Sequence, residues 1–496
     1  MPRSNPVPDT ALALTLVDPR RTWWIPDDRR LPAFEPFADD VRRHPPVTLR
    51  ETVWDTEDRV LVAEGVVLAR SSGGAWSVDR GAGPEVIGGG SETGAPPRDA
   101  VEVFLRGRAL RVVLVRDTTT AFVTLRGTGG RVRAEVADVR VDDGDPDTGL
   151  LRSTRWWAIT DDDRGGTTAR AAERALDDAA TEPSTAAAAP LARGPRPAAE
   201  RRGERAKRPR AGSAAGFVLR ALGALRADLV AVEPLVRSDE PEAVHDLRKV
   251  LRRMRSVLAA FRGALDREAT ESLRAALAET GRVAGVARDA EVLHDGLVRS
   301  VARSPEGYVD AATLDRIGSR TDGRRGAAAA ELRQALRSDA WFRTLETLDG
   351  LLLRAPAGPH AGDDAGTFTE QRIRRERVRV ARLLGRTTVD LGDLGDLGDL
   401  GGLHEIRKAA RRLRYALEAA GDLQGVGRRR LGRLRRVQET LGETLDAAHA
   451  ADAHRQLAGL AARSGEDTFG YGVLATTEHA ALERGLRRSR KVLARL

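Results

Sequence analysis

The residues best placed to do chemistry come in two matching phrases, HDLRKVLRRMR at 245–255 and HEIRKAARRLR at 404–414. Each opens on a histidine, followed by arginine three residues on, lysine at four, and arginine at seven, eight and ten. The chain holds only four lysines, Lys207, Lys249, Lys408 and Lys491, and two of them occupy the same step of the two phrases. At the helical advance of about 100° per residue, His245, Arg248, Lys249 and Arg252 share one arc, with Arg253 and Arg255 at its flanks. Val244, Leu247, Leu251 and Met254 lie opposite. The second phrase repeats this layout, with His404, Arg407, Lys408, Arg411, Arg414 and Tyr415 in front and Leu403, Ile406, Leu413 and Leu417 behind. Each phrase is therefore expected to be a helix with an apolar back and a cationic front nearly free of acid. Two such fronts turned towards one groove repel each other unless an anion fills it.

A linear chain of phosphates presents charge at every unit, and arginine forks and lysine points can grip it without reading a base. Inorganic polyphosphate is the expected ligand. Nucleic acid is the alternative binding partner, disfavoured because aromatics make up 4% of the chain and do not interleave with the basic faces. The expected site is His245, Arg248, Lys249, Arg252, Arg255, His404, Arg407, Lys408, Arg411 and Arg414. Arg253, Arg288, Arg412 and Tyr415 form a second tier.

Other chemistry is sparse. His449 and His454, near Asp446 and Asp452, are badly spaced for a metal and read as a solvated helix surface. His44, His294, His360 and His479 stand alone. No Ser-His-Asp set, phosphate loop or nucleophile elbow is visible, and GAGP at 81–84 and GGG at 88–90 read as turns. No metal, cofactor or catalytic residue is expected. The WW pairs at 23–24 and 156–157 are expected to pack, closing a barrel at its two ends, with an exposed contact patch as the alternative.

At 496 residues, with 41% hydrophobic residues and a formal charge of +9, the chain has room for several cores and favours anionic partners. It has no cysteine, which excludes disulfides and thiolate chemistry and suits a reducing compartment. No apolar run reaches a membrane span and MPRSNPVPDT does not read as a secretory signal, so the cytoplasm is the expected location, with polyphosphate granules as a place to attach.

Three regions must position these residues. From 11 to about 158, runs such as ALALTLV, VTLRETVW, RVLVAEGVVLAR, ALRVVLVR, TAFVTL and RVRAEVADVRV predict an antiparallel sheet or barrel. Residues 159–213 mix Ala, Pro, Gly and Arg without an apolar period and predict a disordered linker. From 214 onwards helical periodicity dominates. Candidate helices span 214–236, 241–263, 268–303, 309–337, 339–353, 368–386, 402–420, 428–461 and 470–492. They fall into two units of about 214–355 and 366–496. LGDLGDLGDLGG at 391–402 reads as a loop.

The helical region resembles the CHAD domain, the conserved histidine α-helical domain. The resemblance rests on the two phrases and on the helical segment downstream of each. GVARDAEVLHDGL at 285–297 is similar to the family's R-D-x-D-V-L helix at Arg288 and Asp289, and RRVQETLGETLDAAHAADAH at 435–454 to its L-Q-x-x-L-G-x-x-x-D helix. It implies a pseudo-twofold pair of four-helix bundles with a basic central groove that binds inorganic polyphosphate. The region 1–158 resembles the CYTH domain of the triphosphate tunnel metalloenzymes. The match runs through VWDTEDRVLVAEGVVLAR at Asp55, Thr56, Asp58, Leu61, Gly65, Leu68 and Arg70, and RVRAEVADVRVDD is similar to a late strand near Glu135 and Asp138. That likeness implies an α+β antiparallel barrel. It departs from the family in chemistry, since Glu35 is the one glutamate before Glu51 and no lysine precedes Lys207, so the Glu-x-Glu-x-Lys strand is lacking. A degenerate barrel without catalysis is expected, with metal-dependent triphosphatase or polyphosphatase action as the alternative.

Overall fold

The computed structural model describes residues 21–87, 94–161, 166–180, 209–390, 400–425 and 428–496. The chain divides into two compact units, Met1–Gly203 and Glu204–Leu496.

The described part of the first unit is an antiparallel sheet. Its strands are β1 (Arg21–Trp24), β2 (Asp40–Arg43), β3 (Val47–Asp55), β4 (Val67–Ser71), β5 (Trp76–Asp79), β6 (Pro84–Ile87), β7 (Arg111–Arg126), β8 (Val132–Gly144) and β9 (Leu151–Asp161). They hydrogen-bond in the order β1-β9-β8-β7-β3-β4-β5-β6, with β2 also on β7. No described pair joins β1 to β6. The two tryptophan pairs are neighbours across one register, Trp23 against Trp157 and Trp24 against Trp156. Trp23 and Trp157 are fully buried in one core, while Trp24 and Trp156 alternate to the other face of the sheet, partly buried with ring centroids 5.4 Å apart. ALALTLV and GGG fall outside the described residues.

Two expectations for this unit change. RVLVA, read as extended, is instead the helical turn α1 (Val60–Ala63). Asp55 causes it: its carboxylate accepts from the backbone N–H of Thr56, Leu61 and Val62 at 2.7, 2.9 and 3.0 Å, drawing the chain into a turn. The linker expected at 159–213 is also shorter than supposed. β9 runs to Asp161, and after the short helix α2 (Glu102–Leu105) a further helix, α3 (Thr167–Ala179), buries Ala169, Ala172 and Leu176 among Trp23, Val136 and Ile159. Asp177 fastens α3 by accepting from the Trp23 indole at 2.8 Å and from Arg21 at 2.7 Å. Small alanines carry most of its apolar stripe, which hides the period in the sequence. Residues 181–208 of that linker lie outside the described residues.

The second unit is helical: α4 (Ala214–Arg237), α5 (Ala243–Ala260), α6 (Arg267–Arg303), α7 (Ala311–Leu336), α8 (Asp339–Arg354), α9 (Ala365–Asp390), α10 (Leu400–Ala419), α11 (Gly421–Gln424), α12 (Arg428–Arg463) and α13 (Phe469–Leu493). Each long helix coincides within a few residues with one read from periodicity. Side-chain caps begin several: Ser213, Asp266, Asp310 and Ser338 accept from Gly216, Ala269, Thr313 and Trp341. Most of the 391–402 stretch lies outside the described residues, but from Leu400 it is already helix, not loop. In the first half α5 packs on α4 and α6, while in the second α10 packs on α9 and α12. α5 and α10, the helices of the two phrases, pack on each other. A fully buried pair, Arg237 to Glu233 at 2.6 Å, links α4 to α8 through the Trp341 indole at 3.2 Å.

Candidate functional site

Burial of the apolar backs sets the direction of the fronts. Val244, Leu247, Leu251 and Met254 of α5, and Leu403, Ile406, Leu413 and Leu417 of α10, are all buried. With those sides fixed, the arginines of each phrase are held half-buried between the two helices and the long helices beside them.

Arg252 and Arg411 are at the centre. No described carboxylate pairs with either, and Nε of Arg252 is buried without a partner. Burial, together with the charges of Arg248, Arg407 and Arg414, pushes Arg252 down to about 10. Burial, then Arg252 and Arg407, pushes Arg411 down to about 9. Arg407 is lowered too, by burial and by Arg248, while Asp446 works against the shift. The two phrases thus bring Arg248, Arg252, Arg407, Arg411 and Arg414 within mutual electrostatic reach.

The long helices make room with glycine. Arg248 crosses α6 at Gly285, where a Cβ would stand 3.6 Å from Nη2, and pairs with Asp289 at 3.0 Å. Arg407 crosses α12 at Gly442, where a Cβ would stand 2.8 Å from Nη2, near Asp446. Glycine four residues before aspartate therefore recurs in both halves. Mid-helix glycine costs about 1 kcal/mol relative to alanine, and at Gly442 it admits a guanidinium, whereas at Gly285 a Cβ would meet Arg248 at ordinary contact distance. That recurrence was visible in the sequence and identifies Gly285 and Gly442, which the charge pattern alone passes over.

A cleft of about 840 Å³ opens beside this cluster; of the ten expected residues Lys249, Arg407 and Arg414 line it, together with Arg253, Arg435 and Gln438 and the acids Glu418, Glu439, Glu443 and Asp446. Arg414 donates to the side-chain oxygen of Gln438 at 3.0 Å and to Glu418 at 3.0 Å, and its guanidinium lies 4.6 Å from the Tyr415 ring. Arg253 covers the same ring from 6.0 Å, so Tyr415, expected on the front, is buried between two guanidiniums. The Gln438 amide nitrogen is buried without a partner, a donor left over beside the cleft.

The fronts carry more acid than the phrases suggest. Lys249 pairs with Asp246 at 3.3 Å and Lys408 with Glu405 at 2.9 Å, both exposed pairs three residues apart. Glu418 gathers Arg414 at 3.0 Å, Arg435 at 3.4 Å and Arg253 at 4.0 Å. These partners come from the position after each histidine and from neighbouring turns, outside the arc counted from the helical wheel.

The other expected residues divide. His245 and His404 sit half-buried at the start of each front, and both are pushed below the ordinary histidine value, first by burial and next by Arg288 and by Lys408 respectively. Arg255 lies over Gly281, beside Arg274. Arg412 turns away into a pair with the buried Glu376, and Arg288 is held by Glu291 at 2.9 Å and Glu242 at 3.4 Å. His449 is exposed as expected, but His454 is 1% exposed with neither ring nitrogen partnered, because α6 and α13 cover that side of α12. Among the described residues no group of three or more His, Asp or Glu is arranged to hold a metal ion, and no helix is long and apolar enough to cross a membrane.

Comparison with known proteins places the helical region in a family. The CHAD domain model matches residues 220–455. Two curated relatives, the uncharacterized proteins MT2285 and Rv2226 from two strains of Mycobacterium tuberculosis, are 30% identical over 484 residues, covering 91% of this chain and 91% of theirs. Among solved structures, the CHAD domain from the plant Ricinus communis aligns at 23% identity with a TM-score of 0.44, over 57% of this chain and 93% of that one. PptA from Streptomyces chartreusis aligns at 18% with a TM-score of 0.46, over 57% and 98%. By its matching residues and its full-length relatives, this chain belongs to the family of CHAD domain proteins.

Proposed function

We propose that the cleft binds inorganic polyphosphate without catalysis, through His245, Arg248, Lys249, Arg252 and Arg255 on α5 and His404, Arg407, Lys408, Arg411 and Arg414 on α10. The observation that carries this reading is the unneutralised pair of Arg252 and Arg411, pressed together by the burial of two duplicated apolar backs. At an effective dielectric of about 20, two cations ~5 Å apart repel by about 3 kcal/mol. A polymer of phosphates replaces that repulsion with charge-assisted hydrogen bonds along its length.

Nucleic acid fits less well. Tyr415 is the aromatic residue lining the cleft, and with Arg253 and Arg414 against its ring it offers no face on which a base could stack. The correspondence of Gly285 and Asp289 with Gly442 and Asp446 supports a pseudo-twofold pair of bundles. In the N-terminal unit, the Asp55-Thr56-x-Asp58 turn supports a degenerate CYTH-like barrel whose retained aspartate serves folding. A cytoplasmic protein that attaches to polyphosphate granules is the setting this reading implies.

Competition between long-chain polyphosphate and single-stranded RNA at about 150 mM salt tests the ligand class. Polyphosphate is expected to displace RNA, and the reverse order overturns the assignment. Incubation with tripolyphosphate and Mg²⁺ or Mn²⁺ tests the absence of catalysis: no phosphate release is expected, and steady release would make the protein an enzyme.

A further inference from the structure

Three guanidiniums from three helices converge on one carboxylate in the wall of the cleft. Glu418 Oε1 accepts from Arg414 of α10 at 3.0 Å and from Arg435 of α12 at 3.4 Å, and Arg253 of α5 stands 4.0 Å from Oε2. All four residues line the cleft. Of the other acids in the wall, Glu443 pairs at 3.4 Å with Arg488, outside the lining, and Asp446 lies near Arg407. Arg414 and Glu418 are four residues apart on one helix, a spacing that by itself makes ordinary pairs of small consequence. Two observations set this one apart.

The first is the supply of oxygens. Oε1 is shared by two guanidiniums, and Arg253 has Glu418 at 4.0 Å and Asp228 at 3.6 Å, both beyond hydrogen-bond range. One flat carboxylate thus leaves three forks underused. Two successive phosphate units bring four unesterified oxygens and two charges, which suit three forks better. The second is the duplicated half. With the phrases superposed, His404 on His245, Ala259 takes the place of Glu418 and Arg412 that of Arg253. Arg412 donates to the backbone oxygen of Ala259 at 3.0 Å and pairs with the buried Glu376 of α9. An arginine of each phrase therefore reaches the same place on the other phrase's helix, and in one of the two crossings alanine stands there. The crossing of α5 and α10 does not itself require an acid at that place, so Glu418 is available to the cleft.

Resting on the reading of the cleft as a polyphosphate site, we propose that Arg253, Arg414 and Arg435 form a phosphate subsite that Glu418 fills in the ligand-free protein, and that polyphosphate seats there by displacing the Glu418 carboxylate. Arg253 and Arg435 join the binding residues on this account. Glu418 sets the affinity as an internal competitor: it holds three arginines together without ligand, and the polymer must expel it.

The test titrates tripolyphosphate and long-chain polyphosphate into the full-length protein and into its Glu418→Gln, Glu418→Ala and Arg435→Gln variants, each with a ligand-free thermal melt. Both Glu418 variants are expected to bind tripolyphosphate about five- to tenfold more tightly, with a salt dependence steeper by about 0.7, the equivalent of one further phosphate contact. Their ligand-free Tm should fall, because three cations lose a shared anion. Tighter binding with lower stability marks a competitor, whereas a mere brace for the arginines would weaken both. Arg435 is 58% exposed, so Arg435→Gln should keep the fold, with Tm unchanged and tripolyphosphate binding weakened, and it decides alone if the Glu418 variants do not fold. Unchanged or weaker binding in folded Glu418 variants, or unchanged binding in Arg435→Gln, overturns the subsite while leaving the cleft standing. Failure of the unaltered protein to bind either polymer removes the cleft assignment and the subsite with it.

Discussion

At the scale of single residues the site is held in an unfavourable state. Arg252 and Arg411 are depressed to about 10 and about 9, so the cost of burying them beside like charges weighs in full on the folded state at neutral pH and is relieved only above pH about 9. Arg411→Met should therefore raise the stability of the ligand-free protein by about 1–4 kcal/mol, read as a higher Tm, while abolishing polyphosphate binding. A lower Tm would mean that Arg411 serves the fold. The histidines set a pH dependence of known sign. His245, His404 and His454 are all depressed in the folded protein, so the unfolded chain takes up protons first as pH falls through about 6.5. Ligand-free stability should drop between pH 7 and pH 5. A bound polyanion raises His245 and His404, so binding should take up protons and tighten over the same range. Calorimetry in buffers of different ionisation enthalpy reads that uptake, and proton release would contradict it.

At the scale of elements, Gly442 decides how Arg407 lies. A Cβ at Gly442 would press on the guanidinium of Arg407 at 2.8 Å, whereas one at Gly285 would make ordinary contact with Arg248 at 3.6 Å. Gly442→Ala should weaken polyphosphate binding several-fold, because the flexible end of Arg407 is displaced before the helix yields, and Gly285→Ala should leave binding unchanged while raising stability by about 1 kcal/mol. Equal effects at both sites would show that the arginines are positioned otherwise. The buried Arg237–Glu233 pair is the opposite kind of contact. Glu233→Ala strands a guanidinium in the core of α4 and α8 and should cost about 3–5 kcal/mol, measured by denaturant unfolding. The long helices were legible in the sequence because their apolar stripes use Leu, Val and Ile at helical spacing. α3 was hidden because alanine carries most of its buried face, and α1 because a β-rich run, RVLVA, is bent by Asp55 from outside it.

At the scale of the whole molecule, duplication explains what could and could not be read. The two phrases drew attention to the candidate site because each repeats a costly arrangement of like charges. Their partners Asp289, Asp446, Glu418 and Gln438 come from other helices or later turns and needed the packing of α5 on α10 to be recognised. Trp23 and Trp157 were legible as core, but the pairing of the two doublets across β1 and β9 depends on register, which no local pattern specifies.

Polyphosphate binding, on this reading, depends on two facing arginines that only a polymeric anion makes comfortable. Titration of long-chain polyphosphate into the full-length protein and into Arg252→Gln/Arg411→Gln, each with its thermal melt, tests it most directly. The unaltered protein should bind tightly and gain several degrees of Tm on binding, while the double variant should start from a higher ligand-free Tm and show no binding. A double variant that still binds polyphosphate as the unaltered protein does would contradict it.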